Sequence, residues 1–557
     1  MQFRWNHTQG APDYDRETGF GFVTGAVYTA DAALHIPETN SGFLPLWWYA
    51  GTPISDIRQS EYGLQATAAE ALRTEDAADR RLPVWLRIQV PGEGVYRAEI
   101  TVTGTDGGEV LVFTGRRRLA WRGVLPAGAQ QIVTAYCDVF PIVPRGQTDA
   151  VASDAVNIAV VGGALTAVAL AEAPHTRRIW VCGDSTVTDQ TGELPYAPGT
   201  SYAGWGQMLP AYLPEVCITN HAHSGLTTES FLSEGHWAIV KPRLRAGDIC
   251  LFQFGHNDQK LAHLQARGGY TDRLRSYIKE TRAAGAVPVL ITPLARNSWK
   301  DPTHYNDFLA DFADAVLDLG KEEAVPVLDL HAYAMQLIRQ EGLEAAKRWF
   351  YPGDYTHTND FGAYRMAGFV AGALGRAVGL PVADAPAWTP APPFAPLTPP
   401  KDCALPAPDT DPFADYDAAR PQEVLTRAEA LELAIKALKL FPINVYNDLY
   451  ADIVGHETYA GTVQCAAQND LIPAAWVADG RLYPQRTVTA ADFLAVLMPG
   501  AAGRRPLVAP SPLPDSVPAY ARFAAGQAVA EQLICADSLN HPITRSDAAA
   551  LCRRLHI

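Results

Sequence analysis

Ser185 stands in Gly183-Asp184-Ser185-Thr186, directly after the apolar run Ile179 to Cys182. A turn at that point holds the hydroxyl at the carboxyl edge of a parallel sheet, where the sites of open α/β sheets lie. A serine hydroxyl becomes a useful nucleophile only when a base takes its proton. A base of the right type stands far downstream, in Gly353-Asp354-Tyr355-Thr356-His357-Thr358-Asn359. Asp354 and His357 can meet within one loop. The imidazole would then accept the serine proton while the carboxylate keeps the other ring nitrogen protonated and steadies the imidazolium; an unperturbed histidine titrates at about 6.5, which suits that work at neutral pH. Attack on an ester places negative charge on the carbonyl oxygen, and donors aimed there lower the barrier by a few kcal/mol. Asn220-His221-Ala222-His223-Ser224-Gly225 offers the backbone N–H of Gly225, Gly255-His256-Asn257-Asp258 offers the side-chain amide of Asn257, and the N–H of Ser185 completes this oxyanion set.

The elements that must position these residues are legible as a change of pattern along the chain. Up to about residue 173, short alternating runs such as Val84-Trp85-Leu86-Arg87-Ile88-Gln89-Val90 and Tyr96-Arg97-Ala98-Glu99-Ile100-Thr101-Val102 are separated by Gly and Asp, which predicts an N-terminal β-sandwich over 1–173. From 176 to 382 apolar runs alternate with amphipathic stretches, the pattern of a parallel sheet covered by helices. Five strands are expected, at Ile179 to Cys182, Val216 to Thr219, Ile249 to Phe254, Val287 to Ile291 and Val325 to Leu328. Residues 383–413 are dense in proline, including Pro390, Pro392, Pro393, Pro396, Pro399 and Pro400, and read as a semi-rigid linker. Residues 414–557 form a helical region with a weak internal repeat, Thr426-Arg427-Ala428-Glu429, Thr489-Ala490-Ala491-Asp492 and Thr544-Arg545-Ser546-Asp547; a Thr three residues before an acid is a helix-capping arrangement.

The ordered blocks Gly-Asp-Ser-Thr, a Gly after the second strand, Gly-x-Asn-Asp after the third and Asp-x-x-His resemble the SGNH or GDSL hydrolases. Gly204-Trp205-Gly206-Gln207-Met208-Leu209, Gln253-Phe254-Gly255-His256-Asn257-Asp258-Gln259-Lys260 and Asp354-Tyr355-Thr356-His357 look like the rhamnogalacturonan acetylesterase branch of carbohydrate esterases. The resemblance implies a flavodoxin-like three-layer α/β/α domain, an acetyl-serine intermediate, an acetylated oligo- or polysaccharide as substrate (pectic, with xylan or mannan as further candidates) and no metal or organic cofactor. Leu226-Thr227 departs from the Arg-Ser expected after Gly225 in that branch. A lipase or thioesterase on the same fold is one alternative reading. Another is a carbohydrate- or wall-binding protein with an inactive hydrolase domain, against which the full set Ser185, Gly225, Asn257, Asp354 and His357 argues.

Composition limits the partners. The 557 residues carry a formal net charge of -15, the wrong sign for displacing phosphate counterions, so nucleic acid is not expected. No apolar run spans a bilayer, and Met1-Gln2-Phe3-Arg4-Trp5-Asn6-His7 lacks an apolar signal core behind a basic cap; these features predict no membrane insertion and a cytoplasmic chain, with the cell surface or secretion as the alternative if an export signal was removed. The cysteines 137, 182, 217, 250, 403, 465, 535 and 552 show no paired spacing and read as reduced thiols.

Several groups read as bland. His221, His223, His236, His256 and Asp258 lack a metal-site spacing, and His221 and His223 are expected to line the sugar cleft. Arg116-Arg117-Arg118 reads as a solvated charge run on a hairpin, and Trp47-Trp48-Tyr49 as core or interface aromatics. The N-terminal sandwich resembles galactose-binding-like modules that accompany carbohydrate esterases. The tail resembles S-layer homology repeats, which anchor proteins to cell-wall polymer. Ala490 stands where the other copies have Arg, so the tail is expected to serve packing or self-association.

Overall fold

The computed structural model describes residues 2–24, 55–68, 82–143, 149–192, 196, 198–301, 304–390, 411–438, 440, 450–453, 457–501 and 508–555. The chain divides into two compact units, residues 1–255 with 271–404, and residues 256–270 with 405–557. Trp47-Trp48-Tyr49, Cys403 and residues 391–410 of the proline-rich segment lie outside the described residues.

In the first unit, the alternating runs pair into two antiparallel sheets. One runs Ser55–Ser60, Gly63–Ala68, Ala164–Glu172, Gly94–Thr103, Gln130–Val139, with Gln2–Asn6 also paired to Ala164–Glu172. The other runs Phe20–Phe22, Val84–Gln89, Ala155–Val161, Glu109–Thr114, Arg118–Val124. Ile100, Val102, Val133 and Leu170 from the first meet Leu86, Ile88, Val112 and Ile158 from the second in one core. Side chains alternate across a strand, so the second sheet also has an outer face. There Trp85, Leu111, Phe113, Leu119 and Ala159 join a different core, together with Ile179, Val181, Tyr196 and Trp205 of the following region. Ala155–Val161 is accordingly buried at every position. The sheet is covered on both sides, at about 25 cal/mol for each Å² of apolar surface removed from water.

The following region holds a parallel five-stranded sheet in the order Cys217–Asn220, Arg178–Gly183, Ile249–Gln253, Val287–Ile291, Val327–Leu328. The first strand in sequence lies between the second and third. This is the flavodoxin-like order, with a switch point at the carboxyl end of the first strand. Arg178–Gly183 is buried at all positions. The helices Thr271–Ala283, Ala310–Glu323, Leu330–Ala346 and Asp360–Val378 accompany the sheet. The last starts on Asn359, whose side chain accepts from the Gly362 N–H, and stops at Gly379 in the left-handed conformation, the usual signals for helix entry and exit. The first residues of the proline-rich segment pack on this region, since Ala383 donates to the Tyr212 carbonyl and Trp388 lies edge-on to Phe361 and Tyr364.

In the second unit the repeat has a structural counterpart. Helices Arg427–Ala437, Ala490–Ala501 and Arg545–Leu555 each begin just after a repeat threonine. The residues ahead of them close a three-way ring: Leu425 N–H donates to Ile543 O at 3.0 Å, Ile543 N–H to Val488 O at 3.2 Å, and Val488 N–H to Leu425 O at 3.0 Å. Thr426 with Glu429, Thr489 with Asp492 and Thr544 with Asp547 cap the three helices. Buried Arg427 donates to the carbonyls of Trp476 and Leu482, both at 2.6 Å, and Arg545 pairs with Glu429. No helix among the described residues is long and apolar enough to cross a membrane.

Candidate active site

The turn after Arg178–Gly183 and the loop before the last helix meet at the sheet edge. Ser185 Oγ lies 2.7 Å from His357 Nε2, and His357 Nδ1 lies 2.8 Å from Asp354 Oδ2. Asp354 Oδ1 accepts the backbone N–H groups of Thr356 at 2.6 Å and His357 at 3.0 Å. Burial by itself would raise the Asp354 pKa. The hydrogen bond and charge of His357 and the two backbone N–H groups outweigh it, pulling the carboxyl down to about 2. A carboxylate that stays charged holds Nδ1 as the protonated nitrogen and leaves Nε2 facing the serine as acceptor. This line of atoms can deprotonate a hydroxyl and later return the proton to a leaving group.

A pH dependence of stability follows. The folded pKa of Asp354 is depressed, so its contribution is fully present above about pH 4 and is lost as pH falls toward 2. The stability gap between wild type and Asp354→Asn, measured by urea unfolding, is expected to contract as pH falls from 4 toward 2. A gap unchanged down to pH 2 would contradict the paired carboxylate.

The nucleophile turn is held from below. Buried Asp184 accepts from the Thr186 N–H at 2.9 Å and hydroxyl at 2.7 Å, and burial raises its pKa against those hydrogen bonds. Thr186 Oγ1 accepts from Gln253 Nε2 at 2.7 Å, and Gln253 Oε1 from Trp205 Nε1 at 2.7 Å. Trp205 N–H donates to Thr186 O. At Gly204 a Cβ would stand 2.4 Å from Val187 C and Thr188 O, so only glycine lets this segment reach the turn. Gly204, Trp205 and Gln253 therefore brace the turn that carries Ser185.

Gly225 follows the edge strand with φ +88°, the left-handed region that favours glycine. Among the described residues neither its N–H nor that of Ser185 donates within the protein. Asn257 sits in the segment 256–270, grouped with the second unit. Its Oδ1 accepts from Lys260 Nζ at 2.9 Å; an ammonium can only donate, so it fixes which end of the amide is oxygen and which is NH₂.

The histidines separate. His221 is buried against Trp180, with Nε2 3.1 Å from Thr219 Oγ1, so it belongs to the core and not to a cleft; burial pushes its pKa well down. His223 is half-buried with its Nδ1 3.1 Å from Ser224 O, and its ring faces buried His236 at 5.2 Å. Burial, with the charges of His223 and Arg116, drives His236 down to about 3. Among the described residues no His, Cys, Asp or Glu group could hold a metal ion.

Arg116, Arg117 and Arg118 overturn the expectation of a solvated hairpin: all three are buried. Arg116 and Arg117 form the tight connection between Glu109–Thr114 and Arg118–Val124, whose first residue is Arg118; this edge of the double-covered sheet directs all three into the parallel-sheet region. Arg116 and Arg118 share Asp189 Oδ2 at 3.2 Å each, and donate to the carbonyls of Asn220 and Ile218. Arg118 also pairs with Asp138. Arg117 pairs with Asp360 at 2.7 Å. Gln190, Tyr202, Asp189 and Asp360 were missed as contributors because each looks like an ordinary loop residue in sequence. The Asp360 N1 position of a helix three residues past His357 was the available signal.

Residues 181–365 match the model of the GDSL-like Lipase/Acylhydrolase family. The chain is 33% identical over 222 residues to the rhamnogalacturonan acetylesterase RhgT of Bacillus subtilis, covering 37% of this chain and 93% of that protein. It is 33% identical over 215 residues to a probable rhamnogalacturonan acetylesterase, YesY, of the same bacterium, covering 37% and 95%. An uncharacterized esterase, YxiM, also of Bacillus subtilis, is 25% identical over 368 residues, covering 64% of this chain and 82% of its own length.

Proposed function

Because this chain belongs to the GDSL-like lipase/acylhydrolase family and is an esterase, we propose that it removes O-acetyl groups from plant cell-wall oligo- or polysaccharides, pectic ones first. The observation that carries this reading is the hydrogen-bonded line Ser185–His357–Asp354. His357 Nε2 takes the Ser185 proton as Oγ attacks the acetyl carbonyl carbon. The oxyanion is met by the N–H groups of Ser185 and Gly225. Collapse breaks the bond to the sugar oxygen, which leaves with the proton held on His357. Water, deprotonated by the same nitrogen, then attacks the acetyl-serine, and acetate departs as Ser185 regains its proton. Substrate class is supported by the similarity to two acetylesterases named for rhamnogalacturonan.

The test is acetate release from acetylated rhamnogalacturonan, xylan and mannan oligosaccharides, beside acetyl and octanoyl nitrophenyl esters. Release is expected from rhamnogalacturonan above the others. A preference for the octanoyl ester with no release from any sugar would replace this reading with a lipase or thioesterase.

The N-terminal sheets are assigned to a galactose-binding-like module that either binds sugar or buttresses the active-site rim. The C-terminal repeat unit, which resembles S-layer homology repeats, is assigned to packing or self-association, since Ala490 provides no guanidinium where Arg427 and Arg545 do. Tight retention of the full chain on purified wall polymer would overturn that assignment.

A further inference from the structure

Arg117 is fully buried, and its three nitrogen groups reach three different segments. Nη1 pairs with Asp360 Oδ1 at 2.7 Å, Nε donates to Gln190 O at 3.2 Å, and Nη2 donates to Tyr202 O. Each partner leads to the Ser185–His357 pair. Gln190 Nε2 donates to the Ser185 carbonyl at 2.8 Å. Gln190 is itself clamped by Gln207, which accepts from its N–H at 3.2 Å and donates to its carbonyl at 3.0 Å. Asp360 opens the helix three residues after His357 and also holds Tyr196 Oη at 2.7 Å and the Gly199 N–H at 3.0 Å. Tyr202 presents its ring edge-on to His357 at 5.6 Å and stacks on Tyr351 at 3.7 Å; Tyr351 N–H in turn donates to His357 O.

We propose that Arg117, carried by the N-terminal sheet, is a positioning residue for the esterase: through Gln190 it sets the Ser185 turn, and through Asp360 and Tyr202 it sets the His357 loop. This rests on the assignment of Ser185 and His357 made above. A guanidinium is suited to the task because its planar fork satisfies three acceptors in fixed directions, which an ammonium on a flexible stem cannot. Arg117 has φ +61°, a conformation that non-glycine residues rarely adopt and that persists where surrounding contacts enforce it. The N-terminal module is therefore part of the catalytic apparatus without touching substrate.

The experiment compares kcat and KM of the full chain for nitrophenyl acetate in wild type, Arg117→Gln, Arg117→Lys, Gln190→Leu and Ser185→Ala, with thermal unfolding of each. Misplacement of reacting groups by about 1 Å costs roughly 100-fold in rate. Arg117→Gln is therefore expected to lose roughly 10- to 100-fold in kcat at little-changed KM, with Arg117→Lys between it and wild type. A folded Arg117→Gln with kcat within about twofold of wild type would overturn the proposal. Should Arg117→Gln fail to fold, Gln190→Leu carries the test, since it removes the grip on the Ser185 carbonyl and leaves the ion pair in place; unchanged kcat in that variant overturns the proposal equally. Turnover retained in Ser185→Ala would instead overturn the site assignment, and this inference with it.

Discussion

Ser185→Ala is expected to lower kcat for acetyl ester hydrolysis by roughly 10⁴- to 10⁶-fold while leaving the protein folded, and His357→Ala to do about the same. The two hydroxyl and imidazole groups act as one unit across 2.7 Å, so the double variant should be scarcely worse than either single one. Asp354→Asn keeps the loop but replaces an acceptor with a donor at one oxygen position. The His357 ring then loses the partner that fixes its tautomer, and a loss of about 10⁴-fold follows. Residual turnover above water is expected in all three, because the N–H groups of Ser185 and Gly225 survive the substitutions. Steady-state assays with protein checked for contaminating esterase decide the matter. If the losses of Ser185→Ala and His357→Ala multiply in the double variant, the two residues do not act together.

Asp189→Ala is expected to destabilise the protein by about 3–5 kcal/mol, the range for removing one partner of a buried ion pair. Asp189 is 2% exposed. Its carboxylate lies between Arg116 and Arg118 and also accepts from Asn220 Nδ2 at 2.9 Å. Burial raises its pKa, opposed by the two guanidiniums. Without it Arg118 still has Asp138, whereas Arg116 keeps the Asn220 carbonyl and loses its carboxylate. Pairing Asp189→Leu with Arg116→Met should recover part of the loss, since apolar groups of similar volume replace buried ions at little cost. Urea unfolding of the single and double variants measures both effects. A single variant within about 0.5 kcal/mol of wild type would mean that water enters the site and solvates the arginines.

How much was legible in advance depended on how far apart the interacting partners lie. Ser185, Gly225, Asp354 and His357 each sit in a short segment whose own residue types suggest a task; Ser185 and Gly225 follow strands, whereas Asp354 and His357 lie in the loop before Asp360–Val378, and it is the fold that brings His357 to Ser185. The strand runs were similarly local: a parallel strand covered on both faces must be continuously apolar, which marked Ile179 to Cys182 and Val287 to Ile291 without ambiguity. Arg116-Arg117-Arg118 is the opposite case. A charge run on a hairpin is solvated unless carboxylates meet it, and the Asp360 that meets Arg117 is 243 positions away. His221 was misread for a related reason. A histidine at the end of a strand faces either cleft or core according to what packs on that strand, and here Trp180 and the neighbouring Phe140 supply an apolar bed.

Hydrophobic period, turn residues and capping pairs act over a few positions, so the α/β layering, the residue types around Ser185, Asp354 and His357, and the threefold repetition of capped helices near the carboxyl end could be read from local patterns. That the second N-terminal sheet is buried on both faces, and that its three arginines enter the neighbouring region, emerged only in the folded chain. Those outcomes depend on desolvated charges finding distant partners, and a buried guanidinium is tolerated only where the completed fold assembles carboxylates and carbonyls around it.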